Sequence, residues 1–148
     1  MTLSNRRIVY VLIFAALAGG GCHSTGEPLA LLLRGTFVLR TVNGGPLPAD
    51  VSTQPPYQTI LLADTMRFEG KGLATASVTQ RFQSPTSPPE VVNYKFDYRV
   101  RIVGETIYLT FICPPNANCI NITEVSGHLA DANTFVLGDS RTLVYTRP

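Results

Sequence analysis

Histidine is nearly missing from this chain of 148 residues. Its two copies are His23, in a polar stretch ahead of the main domain, and His128, so a two-histidine metal site within one domain is excluded. Charge is scarce as well: 15% of residues are Asp, Glu, Lys or Arg, where a quarter is usual. The ten carboxylates are scattered, and none falls in a D-x-D-x-D-G calcium loop. There is no G-x-S-x-G elbow, no P-loop and no dinucleotide fingerprint. These absences argue against an enzyme and predict neither metal nor cofactor. Gly and Pro, 12 and 11 copies, stay below the level of low-complexity chains, so the chain should fold, and its length suits one domain.

The excess of positive charge is a property of the N-terminus. Two of the 12 basic residues, Arg6 and Arg7, lie in residues 1–21, which contain no acid; the remaining 10 basic and 10 acidic side chains cancel. A neutral domain with dispersed charges has no electrostatic footprint for nucleic acid or an anionic membrane surface.

The first residues place a basic pair ahead of Ile8 to Ala18, eleven residues without a charge, followed by small residues. This is the order of a secretory signal peptide. As a helix, that apolar run would reach about 16 Å, roughly half the hydrocarbon thickness, so it is too short to span a bilayer. Two processing sites compete. Gly19-Gly20-Gly21-Cys22 resembles the lipobox of bacterial lipoproteins, in which the cysteine receives lipid and becomes the new N-terminus. Ala16-Leu17-Ala18 instead offers an A-x-A site that would release a soluble secreted protein. Cysteine arithmetic favours the first, because lipidation of Cys22 leaves Cys113 and Cys119 as a disulfide pair and no odd thiol. The expected organisation is therefore a signal peptide over residues 1–21, an anchor cysteine and tether over 22–34, and a domain over 35–148, held on the non-cytoplasmic side of a cell envelope by lipid alone.

Within the domain no apolar period of 3.6 residues persists, and alternation at period two recurs between short Gly, Pro, Asn and Asp clusters. The clearest run sets Val92, Tyr94, Phe96, Tyr98, Val100 and Ile102 against Asn93, Lys95, Asp97, Arg99 and Arg101, the pattern of a half-buried antiparallel strand. Further strands are expected over Thr36 to Val42, Leu73 to Phe82, Ile107 to Phe111, Phe135 to Leu137 and Thr142 to Thr146. Two shorter runs, Thr59 to Leu62 and Thr65 to Glu69, flank Ala63-Asp64. Ile120 and Ile122 open another strand whose later residues Val125 and Leu129 take the opposite parity, which a bulge near Thr123 or Glu124 would reconcile. About eight strands in sequential hairpins predict an all-β fold, an antiparallel up-and-down β-barrel without exposed edges.

Two features of the barrel carry the functional expectation. Met66, Phe68, Phe82, Tyr94, Phe96, Tyr98, Leu109 and Phe111 either fill the interior or line a cavity for one small apolar ligand, and the tyrosine hydroxyls would need partners inside. Cys113 and Cys119 close a loop containing Pro114 and Pro115, as a staple or as a stiff platform presenting Asn116 and Asn118. Asn121-Ile122-Thr123 matches a glycosylation sequon that a bacterial lipoprotein would not use.

The stretch from Gly35-Thr36-Phe37 through Asn43-Gly44-Gly45-Pro46-Leu47-Pro48, together with Leu143-Val144-Tyr145, resembles the opening and closing strands of small bacterial lipocalin-like lipoproteins. That resemblance implies a short antiparallel barrel. The expected role is an envelope lipoprotein binding a small hydrophobic or amphipathic ligand. The alternatives are a protein-binding module, such as an inhibitor of a periplasmic hydrolase acting through Ser84 to Glu90 and Cys113 to Cys119, or a purely structural envelope protein.

Overall fold

The alternating run around Tyr94 to Tyr98 forms the longest kind of strand in the molecule, with its even-numbered residues turned inward and its charged odd-numbered residues exposed. The structure is a computed structural model that describes residues 28–119, 124–138 and 140–148. A single helical turn, α1 (Leu29–Leu32), precedes ten strands: β1 (Gly35–Val42), β2 (Gly45–Pro46), β3 (Ala49–Gln54), β4 (Tyr57–Gly70), β5 (Leu73–Gln83), β6 (Glu90–Val103), β7 (Thr106–Phe111), β8 (Glu124–Asp131), β9 (Thr134–Gly138) and β10 (Thr142–Thr146). Among the described residues no helix is long and apolar enough to cross a membrane.

All pairings are antiparallel, and eight strands close a barrel in the order β1-β10-β9-β8-β7-β6-β5-β4. Closure is made by β1 against β4, with Phe37 opposite Met66 and Gly35 opposite Phe68. The expected up-and-down barrel is thus observed. Strands β2 and β3, which the sequence pattern does not reveal, form an excursion between β1 and β4 that pairs with both.

The two runs expected to flank Ala63-Asp64 are one continuous strand. Between Leu61 and Ala63 the register of β4 against β5 shifts, leaving Leu62 as an extra residue. An extra residue reverses which face the following side chains occupy. Thr59 and Leu61 point inward before the bulge, and Asp64, Met66 and Phe68 point inward after it.

The two barrel ends differ. At one end the connections are tight: Gly70-Lys71-Gly72, Gly104-Glu105 and Ala132-Asn133. Here α1 closes the bottom, and Leu33 just after it is buried. Phe37, Phe68 and Phe135 meet edge to face beside it, with centroids 5.3 to 6.1 Å apart. Arg147 binds this end together. Its Nε donates to the Ala132 carbonyl at 3.0 Å and its Nη1 to the Arg34 carbonyl at 2.9 Å, while its Nη2 donates to the Leu32 carbonyl. The guanidinium also lies 4.5 Å from the Phe37 ring centroid. Gly35 makes this possible, since a Cβ there would stand 2.8 Å from Arg147 Nη1. Gly127 plays a similar part inside the wall, where a Cβ would come within 2.9 Å of the Phe135 ring.

At the other end three connections are long, namely the β2–β3 excursion, residues 84–89 and the segment between β7 and β8, while the β9–β10 connection spans only residues 139–141.

Candidate functional site

The barrel interior divides into a packed half and a hollow half. Phe37, Leu39, Phe68, Ile107, Leu109 and Phe135 fill the closed half. Toward the long loops the interior opens into a cavity of about 530 Å³, within the range of small-molecule sites. The reason is visible along β5, whose inward residues at the cavity include Ala76 and Val78. Small side chains facing a barrel axis leave space that larger ones would occupy.

Of the eight residues expected to line a cavity, Met66, Phe82, Phe96 and Tyr98 do so. Phe111 and Tyr94 extend the same wall. Phe111 packs against Phe96 and Tyr98 at 6.0 and 6.1 Å, and Tyr94 stacks on Phe96 at 5.8 Å and meets the edge of Phe82 at 6.4 Å. Five aromatic rings therefore form one continuous surface from the mouth inward. Phe68 and Leu109 lie elsewhere, in the packed half, because their positions along β4 and β7 fall near the closed end.

Sequence reasoning missed the residue with the most unusual surroundings. Asp64 sits in the cavity wall with 7% of its surface exposed. Tyr145 donates its hydroxyl to Asp64 Oδ2 at 2.7 Å, while Oδ1 has no hydrogen-bond partner among the described residues. Burial pushes the Asp64 carboxyl from an ordinary 3.8 up to about 6, against the opposing pull of the Tyr145 hydroxyl and the Thr65 backbone N–H. The tyrosines respond in turn. Tyr145 and Tyr98 are raised above the usual phenol range, first by burial and then by the Asp64 charge, so both remain donors at neutral pH. A usable signal was present: Asp64 shares parity with Met66 and Phe68, both expected to point inward.

Arg141 contributes the other charge in the described cavity wall, and it bonds across the mouth to the Val51 carbonyl. Its guanidinium thereby ties the β9–β10 connection to β3. The disulfide between Cys113 and Cys119, with Cα atoms 5.9 Å apart, closes the loop after β7 at the same end. Cys22, the signal segment over residues 1–21, the sequon at Asn121 and the strand start at Ile120 and Ile122 all lie outside the described residues. Val125 and Leu129 do point inward from β8, opposite Leu109 and Phe135. Among the described residues no three His, Cys, Asp or Glu side chains cluster in a way that could hold a metal ion.

No family model, no curated protein and no solved structure matches this chain.

Proposed function

We propose that the chain is an exported, lipid-anchored barrel of the bacterial cell envelope that holds a small hydrophobic or amphipathic molecule in its hollow half, and that it is a binding protein rather than an enzyme. The observation that carries this reading is the cavity of about 530 Å³ with a continuous aromatic wall and, beside it, the one buried carboxylate among the described residues. An apolar enclosure with few, placed polar groups is the usual build of a ligand pocket. No thiol or histidine stands in the described wall to serve beside Asp64 in covalent or acid–base chemistry, which supports binding over catalysis.

The chain enters the described barrel at Pro28, on the closed end. With lipid on Cys22, six residues allow at most about 20 Å of reach, so the closed end would face the bilayer and the mouth would face away from it. A ligand would then be exchanged with the aqueous side.

Intact and native mass spectra of protein extracted from membranes test both parts. The expected spectrum shows a diacylated chain starting at Cys22 and a further non-covalent mass of lipid or metabolite size, which Ala76→Phe removes by filling the cavity. An unmodified start at Gly19 would overturn the anchor. A native chain without any adduct, alone or after exposure to envelope extract, would overturn the ligand and favour the protein-binding alternative, since the loops over residues 84–89 and 113–119 ring the same mouth.

A further inference from the structure

Every charge buried in a folded protein is expected to meet a counter-charge or a full set of hydrogen bonds, because an unpaired ion in an apolar site is costly. Asp64 meets neither condition. Tyr145 occupies one oxygen, and the other, buried beside the cavity, has no partner among the described residues. No lysine stands in the described wall, and the guanidinium of Arg141 is engaged with the Val51 carbonyl at the mouth. The groups next to the carboxylate are the Thr65 backbone N–H on its own strand, the Tyr145 hydroxyl from β10, and Tyr98 from β6, which feels the Asp64 charge; both phenols are neutral at neutral pH. The aromatic wall of Phe96 and Tyr98 lines the same cavity, and aromatic faces attract cations within about 6 Å.

Resting on the reading of the hollow half as a ligand cavity, we propose that the ligand carries a protonated amine on an apolar body, with the ammonium paired to the Asp64 carboxylate and the apolar part lying along Phe82, Phe96 and Met66. The ammonium supplies both the missing donor and the missing positive charge. A fatty acid or other anion is disfavoured at the same place by repulsion from the carboxylate. A neutral alcohol would supply the donor without the charge.

Calorimetric titration of the full chain at pH 7.5 with n-octylammonium, 1-octanol and octanoate tests this assignment. The ammonium should bind at least about tenfold more tightly than the alcohol, and octanoate more weakly than both. Asp64→Asn should erase the preference for the ammonium, and its cooperative thermal melt reports that the variant is folded. A second measurement needs no variant: the carboxyl carbon of Asp64, followed by NMR, should titrate at least about one pH unit lower with the ammonium bound, the linkage counterpart of a tenfold preference, and should not move down with octanol. Equal affinities for ammonium and alcohol, a preference that survives Asp64→Asn, or an unmoved titration would overturn the amine and leave the cavity reading standing. If none of the three compounds binds, the cavity reading falls and the amine with it.

Discussion

The closed and open ends of the barrel are built from the same eight strands and solve opposite problems. At the closed end no buried side-chain nitrogen or oxygen of the described residues lacks a partner. Arg147 satisfies three carbonyls and covers Phe37, tight turns leave little chain to order, and three phenylalanines pack edge to face. At the open end a buried acid keeps one oxygen unpaired, small residues leave space, and long loops are tied by an arginine and a disulfide. The closed end is where stability resides, and the open end spends stability on a site. A carboxylate raised by burial is a destabilised ion, and such groups concentrate where proteins bind or react.

The sharpest way to break this contrast is at Arg147. Arg147→Ala removes three charge-assisted hydrogen bonds and the stacking on Phe37, and should cost about 3 to 4 kcal/mol, read as a lowered urea midpoint with an unchanged slope. A loss under about 1 kcal/mol would mean that α1 and the C-terminus are held by other contacts.

A change at the open end should act in the opposite direction. Because burial lifts the folded-state pKa of Asp64 to about 6 from 3.8, the folded chain binds that proton more tightly than the unfolded chain. Its contribution is then fully present below about pH 4 and is lost as pH rises through about 6. A rise of about two pKa units corresponds to about 3 kcal/mol, so Asp64→Asn should stabilise the protein at pH 7.5 by as much as about 2 to 3 kcal/mol and flatten this part of the pH profile. Thermal melts of both proteins between pH 4 and pH 7.5 check it, and a destabilised Asp64→Asn at pH 7.5 would show that the carboxylate is a structural asset.

The smallest effect belongs to the mouth loop. Replacing Cys113 and Cys119 together by Ala should cost about 2 kcal/mol through loop entropy and leave octanol affinity unchanged if the bridge is only a staple. A loss of binding without a loss of melting temperature would instead make that loop part of the site.

Much of the architecture was legible beforehand because alternation reports burial directly. β6 was readable from Val92 to Ile102, since each inward residue is apolar and each outward neighbour polar. β10 was readable from Thr142 to Thr146. The helical turn at Leu29–Leu32 and strand β2 were not, being too short to establish a period, and β3 was not because Ala49 and Val51 are its only apolar side chains. The cavity was half legible: Met66, Phe82, Phe96 and Tyr98 line it as expected, but how far along the axis each one lies depends on strand stagger. That stagger put Phe68 and Leu109 in the packed half.

Alternating side chains, glycine-rich turns and a pair of cysteines six residues apart sufficed by themselves to specify an antiparallel closed sheet, because each of these is a local preference of the chain. The place of Asp64 could be decided only in three dimensions. It depends on one extra residue, Leu62, set by the register of β4 against β5, and on a Tyr145 that arrives 81 positions later. Parity with Met66 and Phe68 marks this carboxyl as inward-facing, but nothing local sets how deeply it is buried or which side chain meets it. Its burial and its single side-chain partner come from neighbouring strands of the barrel, and that burial raises its pKa.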